Sequence, residues 1–202
     1  MNLLTQNTKL KRTSKQLDVR VFNFGIPAYK SASGKLTCPF ADKCVEFCYA
    51  RKGAYVWSNV QPAFEKRYQI TKQHDFVDIM SVEIVKKRPD YVRVHDSGDY
   101  YSKAYLMKWL EIAAIHPHIK FYSYTNCVEM LKNVDLPDNY DIIYSDSGKQ
   151  VHMIDQTKDR HTRIFHSHTE LIACGYVDAS KIDLYATKWF NQDNNNVGLI
   201  AH

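Results

Sequence analysis

Residues 91–124 read YVRVHDSGDYYSKAYLMKWLEIAAIHPHIKFYSY and contain a complete strand–helix–strand unit. Residues 91–95 and 119–124 are rich in β-branched and aromatic side chains, which is typical of strands. Between them Ser102 is a helix N-cap, and apolar residues recur at helical spacing as far as Pro117. Because a crossover between parallel strands needs about a dozen residues, this unit predicts parallel pairing.

The same alternation continues on both sides of this unit. Helical spacing extends over residues 58–88, with Asp75 as an internal cap and Pro89 as the end, and a short helix is predicted over 128–134. A full eight-unit barrel takes about 250 residues, and this chain has 202. We therefore expect an α/β fold, an open partial β/α barrel of about five or six parallel strands. Further strands are predicted over residues 17–24, 140–145 and 162–166.

Composition predicts one α/β domain over residues 17–202, preceded by a polar arm over 1–16 that we expect to be poorly ordered. The arm holds the densest basic run, residues 9–15. The net charge is only +5 and no long Lys/Arg block accompanies it, which argues against nucleic acid as a partner. No apolar run is long enough to span a bilayer, so no membrane partner is expected.

Residues 36–53, LTCPFADKCVEFCYARKG, hold three of the five cysteines. Cys38, Cys44 and Cys48 are spaced Cys-x5-Cys-x3-Cys. Soft sulfur ligands this close together suit an iron–sulfur cluster or zinc. Structural zinc loops usually pair cysteines as Cys-x2-Cys, and no such pair occurs here. A wider loop matches the separated corners of a cuboidal cluster, so we predict a [4Fe–4S] cluster and keep zinc as the alternative.

A [4Fe–4S] cluster usually takes four thiolates, and two further cysteines are available. Cys127 follows the strand at 119–124, while Cys174 lies in a loop beside Gly175, which allows close backbone approach. Cys174 is the preferred fourth ligand. If neither cysteine binds, one iron is left open for a substrate or cofactor. The absence of a secretory h-region fits a reducing compartment with free thiols.

Polar residues follow each predicted strand. In parallel α/β folds the ligand site lies at the carboxyl ends of the strands. These residues are therefore candidate catalytic or binding groups, although Asp and Ser also cap helices and Gly98 also makes turns. His166 and His168 lie on one side of a strand end and are candidate ligands or solvated side chains. The catalytic candidates are His95, Asp96, Asp99 and Asn126, with Ser97, Gly98, Asp146, Ser147 and Gly148 beside them.

The three cysteines, Phe47 directly before Cys48, and Gly98-Asp99 after the second strand together resemble the radical SAM superfamily. The resemblance implies a [4Fe–4S] cluster with one open iron that binds S-adenosylmethionine. It also implies that Phe47 contacts the adenine, and that Asp99, with Ser97 and Gly98, meets the methionine amine or the ribose. The usual spacing in that superfamily is Cys-x3-Cys-x2-Cys, which differs from the spacing here.

The chain also resembles a family of tailed-bacteriophage proteins called gene product eighty-eight, from Phe22 to about Gly175. The motifs that carry the resemblance are Gly25-Ile-Pro, Thr37-Cys-Pro, Cys44-x3-Cys48-Tyr-Ala-Arg, Val94-His-Asp-Ser-Gly-Asp-Tyr-Tyr-Ser102, Phe121-Tyr-Ser-Tyr-Thr125 and Cys174-Gly175. This resemblance implies a phage-encoded protein that acts in the cytoplasm of the infected bacterium. It does not supply a reaction.

Three hypotheses follow. The first is an iron–sulfur protein with Cys174 as fourth ligand, in an electron-transfer or structural role with a redox partner. The second is a radical SAM-type enzyme with an open iron and a small-molecule substrate. The third is a zinc-stabilised module that binds nucleic acid through the basic arm and exposed tyrosines. The sequence names neither the redox partner nor the substrate.

Overall fold

The computed structural model describes residues 2–201 and contains one seven-stranded sheet in which every strand pair is parallel. The sheet is open and curled into a half-barrel, with strand order β1-β2-β3-β4-β5-β7-β6. This confirms the predicted α/β partial barrel, with seven strands rather than five or six. The strands are β1 Val21–Phe24, β2 Tyr91–Val94, β3 Lys120–Thr125, β4 Tyr140–Ser145, β5 His161–Phe165, β6 Val177–Asp178 and β7 Asn196–Ile200.

The helices follow the predicted pattern between the strands. Ser102 caps α5, because its hydroxyl accepts a hydrogen bond from the Tyr105 amide at 3.2 Å. Among residues 2–201, no helix has the length and apolarity needed to cross a membrane. The helices are α1 Thr8–Leu17, α2 Cys44–Phe47, α3 Gln61–Thr71, α4 Phe76–Lys87, α5 Lys103–Ile115, α6 Val128–Lys132 and α7 His168–Ala173, with 3₁₀ turns at Tyr49–Arg51, Gly53–Val56, Val151–Met153 and Asp183–Ala186.

The sequence patterns did not predict β6 and β7. β6 has only two residues, and β7 follows the polar segment 191–195, which is typical of a loop. β7 lies between β5 and β6 in the sheet. Its Gly198 faces α7, where an added Cβ would lie 2.3 Å from a methyl carbon of Leu171. The missing side chain therefore lets α7 approach the sheet closely.

The two faces of the sheet have different cores. On the convex face, Phe24, Phe76 and Trp109 pack ring edge to ring face among the helices. On the concave face, Leu10 of α1 and Leu184 of the last 3₁₀ turn are fully buried against the sheet. Each such side chain contributes roughly 1.5–3 kcal/mol by its burial. The concave face is therefore closed by the first and last segments of the chain.

Within the segment predicted to be a poorly ordered arm, residues 8–17 form α1. The Asn7 side chain caps this helix by accepting a hydrogen bond from the Leu10 amide at 3.0 Å. Leu3 and Leu4 are buried, and both backbone amides donate to the Glu83 carboxylate. The basic run masked this amphipathic pattern. Three apolar anchors and one cap are enough to order the segment.

Candidate functional site

A pocket of about 230 Å³ opens at the carboxyl edge of the sheet. Cys38, Cys44 and Cys48 all line it, and so do residues from the loops that follow β2, β3 and β4. The structure thus brings the cysteine loop and the polar strand ends together, as parallel topology requires. The strand-end residues at the pocket are His95, Asp96, Ser97, Gly98, Asp99, Asn126, Asp146 and Ser147.

The loop that carries Cys38 is tied to the end of β2. The Thr37 hydroxyl donates to the Pro27 carbonyl at 2.6 Å, and the Asp99 amide donates to the Thr37 carbonyl at 3.0 Å. The Tyr29 amide lies 3.3 Å from the Cys38 sulfur as a donor. Backbone N–H donors to sulfur stabilise a thiolate and tune the potential of a cluster bound through it.

Cys44 is the first residue of the single turn α2, and Cys48 directly follows this turn. The Asn126 side-chain amide lies 3.8 Å from the Cys44 sulfur, so the end of β3 also reaches the cysteine loop. The loop is further joined to the β4 end by an antiparallel bridge between Ala41 and Gly148. Burial raises the pKa values of both Cys38 and Cys44 in the metal-free chain.

Among residues 2–201, no three His, Cys, Asp or Glu side chains are grouped around a point that one metal ion would occupy. A mononuclear zinc site needs its sulfur ligands about 2.3 Å from one ion. A [4Fe–4S] cluster instead takes each thiolate at a different corner, and its donors are cysteine sulfurs. Three half-buried thiols around one pocket, two of them with N–H donors nearby, have the donor chemistry of such a cluster.

The structure does not bring Cys174 to this pocket. It is exposed at the end of α7, and the neighbouring Gly175 carbonyl accepts a hydrogen bond from Asn194, just before β7 begins. Cys174 therefore lies near the amino ends of the strands, whereas the pocket lies at their carboxyl ends. Cys127 is closer, beside Asp99, but it is 0% exposed and its thiol donates to the Tyr100 carbonyl at 3.1 Å.

His95 and Asp96 make the turn after β2. His95 has a φ of 74°, its Nε2 lies 2.9 Å from the Tyr105 hydroxyl, and its Nδ1 has no partner within residues 2–201. Burial, together with the positive charge of Arg93, lowers the pKa of His95 to about 3, so the ring is neutral near pH 7. One Asp96 oxygen accepts from the Tyr55 hydroxyl at 3.0 Å; the other is buried and unpartnered in the same part of the chain.

Asp99 has a positioning role. One of its oxygens accepts from the Tyr100 amide at 2.8 Å and the Thr125 hydroxyl at 2.6 Å, and the other accepts from the Asn126 amide at 2.9 Å. These bonds tie the end of β2 to the end of β3. Gly98, with a φ of 84°, lies where an added Cβ would be 2.2 Å from an Ile26 side-chain carbon. This turn therefore requires glycine.

Sequence reasoning missed Arg93, which lines the pocket from within β2. Its guanidinium lies 3.3 Å from the Asp183 carboxylate, donates to the Tyr49 hydroxyl at 3.3 Å and lies 4.6 Å from the centre of the Tyr124 ring. The signal was available, because a charged residue inside a strand predicted to be buried needs a partner. Asp183, however, is distant in sequence, and no local pattern indicated it.

The remaining predicted site residues lie at the surface. Phe47 lines the mouth of the pocket and is 69% exposed. His166 is exposed, and His168, also exposed, begins α7 with its Nε2 3.7 Å from Asp178. The two histidines do not line the pocket.

Comparison with known proteins gives one family. A family model described as Gene product 88 matches residues 1–201. The Gene 88 protein of Mycobacterium phage L5 is 26% identical over 162 residues, which cover 67% of this chain and 66% of the relative. The Gene 88 protein of Mycobacterium phage D29 is 25% identical over 156 residues, or 65% and 63%. The alignments thus span just under two thirds of each relative. No solved structure matches.

Proposed function

Because the chain belongs to the Gene product 88 family, we propose that it is a phage-encoded protein that holds a [4Fe–4S] cluster through Cys38, Cys44 and Cys48. The observation that carries this proposal is the convergence of these three thiols on one pocket at the carboxyl edge of the sheet. In α/β folds the carboxyl edge of the sheet is where small molecules bind. Three cysteines at this edge provide soft sulfur ligands for an iron–sulfur cluster. The infected bacterial cytoplasm, a reducing compartment, is the proposed location.

The loop provides three ligands for the cluster. Cys174 lies near the other end of the strands, so another group would take the fourth ligand position. We propose that this position faces the pocket and is open to a small molecule, so that the protein is an enzyme of radical SAM type. Cys38, Cys44 and Cys48 would hold the cluster, which, once reduced by an external electron donor, would supply one-electron chemistry to S-adenosylmethionine at the open position.

The protein's own groups shape the rest of the pocket. His95 is neutral, so it offers an unpartnered ring nitrogen without adding charge. Asp96 offers one free carboxylate oxygen, and Asn126 an unpartnered amide oxygen. The carboxylate and amide oxygens of Asp96 and Asn126 accept hydrogen bonds, so they suit a ligand that brings donors, such as an amine or a sugar hydroxyl. Asp99 holds the strand ends that carry them, rather than contacting the ligand.

The test is anaerobic purification with iron and sulfide analysis, followed by EPR of the dithionite-reduced protein with and without S-adenosylmethionine. We expect a brown protein with about four irons per chain. Cys38→Ser, Cys44→Ser and Cys48→Ser should each lose most of the iron. Cys174→Ser is the matched control and should keep the wild-type content. The EPR signal should change when S-adenosylmethionine is added.

Other results would redirect the proposal. Iron loss in Cys174→Ser or Cys127→Ala would identify a fourth thiolate and point to electron transfer or structural support. An EPR signal that does not change when S-adenosylmethionine is added would exclude the enzyme with an open iron. A colourless protein that carries only zinc would exclude both iron functions.

A further inference from the structure

The stretch from Ala28 to Val60 contains an unusual combination of exposed side chains. Phe47, Tyr49 and Trp57 are 69%, 51% and 60% exposed, although aromatic side chains of this size are normally mostly buried. Lys30 and Arg51 are also exposed in this stretch. The same 33 residues carry five cations and two carboxylates, a net charge of +3 out of the chain's +5.

Several of these side chains lie at the mouth of the pocket or beside a residue that lines it. Lys30 Nζ lies 5.1 Å and Arg51 Cζ lies 5.6 Å from the centre of the Tyr29 ring, so both cations flank one aromatic residue that lines the pocket. Phe47, Tyr49 and Arg51 line the same opening. We define this surface as the rim; it consists of Lys30, Phe47, Tyr49, Arg51, Lys52 and Trp57.

The rim cations have no carboxylate partner within residues 2–201. Exposed cations elsewhere, such as Lys11 and Lys86, also have no carboxylate partner in this part of the chain, so the rim is distinguished by the exposed rings beside its cations. Uncompensated cations next to exposed flat rings complement a ligand with negative charge and flat groups of its own. A protein partner would more often be met by an apolar surface with fewer free lysines.

We infer that the rim binds single-stranded nucleic acid, with bases stacked on Phe47 and Trp57 and phosphates near Lys30, Arg51 and Lys52. Aromatic platforms beside a cationic track are how sequence-tolerant single-strand binding is built. This inference reverses the sequence-based expectation that nucleic acid is not a partner. The reason is that exposed rings and cations without a carboxylate partner within residues 2–201 occur together in the rim, while Lys9, in the basic arm, pairs with Asp183 at 2.6 Å. It does not depend on cluster binding.

The test is fluorescence anisotropy with labelled oligothymidine and oligouridine of about 20 nucleotides, longer than the ~4–16 nucleotides of typical single-strand sites. Both should bind more tightly than a duplex of the same length. Phe47→Ala and Trp57→Ala should each weaken binding about fivefold or more. The double variant Arg51→Gln/Lys52→Gln should lower the slope of log affinity against log salt by about 1.4.

Matched controls separate the rim from general charge and stability. Lys11→Gln/Lys86→Gln removes two exposed charges outside the rim. Phe190→Ala removes a partly exposed aromatic ring that is also outside the rim. Both controls should bind like the wild type, and thermal melts should show that all variants fold. Failure to bind at about 50 mM salt, or equal loss in rim and control variants, would overturn the inference. So would self-association that rim variants abolish without any strand binding, which would assign the rim to a second copy.

Discussion

Buried charged groups in the interior of the half-barrel are paired with one another, whereas several buried polar groups at its mouth have no hydrogen-bond partner in the described part of the chain. In the interior, Asp183 is 0% exposed and its carboxylate meets Lys9 at 2.6 Å, Arg93 at 3.3 Å and the Tyr122 hydroxyl at 2.7 Å. At the mouth, His95, Asp96 and Asn126 each keep a buried polar atom without a partner within residues 2–201. Arg93 is the only one of these groups that belongs to both regions.

The difference separates stability from function. A buried charge costs several kcal/mol unless it is paired, so the interior network is completed within the chain. Unpartnered buried atoms are also costly, at about 1–3 kcal/mol each. The interior network therefore holds the sheet and its two covering segments together, and the mouth is where a ligand of the proposed kind would complete the missing bonds.

The largest effect should come from the interior. Asp183→Ala leaves the Lys9 and Arg93 charges buried without their carboxylate, and we expect it to lower the free energy of unfolding by about 3–5 kcal/mol. Urea denaturation measures this. Glu111→Ala, exposed on α5, is the control and should leave the midpoint unchanged. A loss for Asp183→Ala as small as that for the control would contradict the comparison.

His95 should make the mouth acid-sensitive. Its folded pKa of about 3 lies below the usual value of about 6.5, so between these pH values the unfolded chain binds the extra proton. Stability should then fall as pH drops below about 6.5, by up to ~1.4 kcal/mol per pH unit. Asn tolerates the positive φ at this position. Between pH 6.5 and 5, wild type should lose about 2 kcal/mol more than His95→Asn; equal losses would contradict a neutral buried imidazole.

A smaller effect tests whether α1 belongs to the folded interior. Asn7→Ala removes the cap on the Leu10 amide and should cost about 1 kcal/mol in the free energy of unfolding. Gln16→Ala, exposed on the same helix, should be neutral. Identical denaturation curves for both variants and wild type would mean that α1 frays, in agreement with the sequence-based prediction of a poorly ordered arm.

The smallest effect should come from the rim. Phe47→Ala removes a side chain that is 69% exposed, and unfolding free energy should change by no more than about 0.5 kcal/mol. Phe24→Ala, which removes a fully buried ring of the convex core, should cost about 3–5 kcal/mol. A large loss for Phe47→Ala would show that the ring supports the fold and is not reserved for a ligand.

Local patterns predicted most of the fold. Alternating β-branched strands and capped helices such as α5 are encoded within about fifteen residues, so their class and order were readable. β7 was not, because its pairing with β5 is set by tertiary context and its flanking residues are those of a loop. The ordered α1 was also missed, since its apolar anchors are interspersed with lysines.

The site divides in the same way. The cysteine spacing and the polar strand ends indicated the pocket lining, because parallel topology alone gathers the carboxyl ends of the strands. Local sequence does not show which side chains already have hydrogen-bond or ion-pair partners within the fold. Asp99 lines the pocket and also accepts hydrogen bonds from Thr125 and Asn126, whereas Arg93 belongs to no motif and lines the pocket from within β2.

The most direct test of the central claim, three thiols acting as one ligand set, is anaerobic alkylation read out for each cysteine by mass spectrometry. In the brown protein, Cys38, Cys44 and Cys48 should be protected and Cys174 should react. After the cluster is removed by oxidation and chelation, the first three should become reactive together. No change in any of the three would contradict a cluster held by this loop, and protection of Cys174 alongside them would contradict a ligand set of only these three thiols.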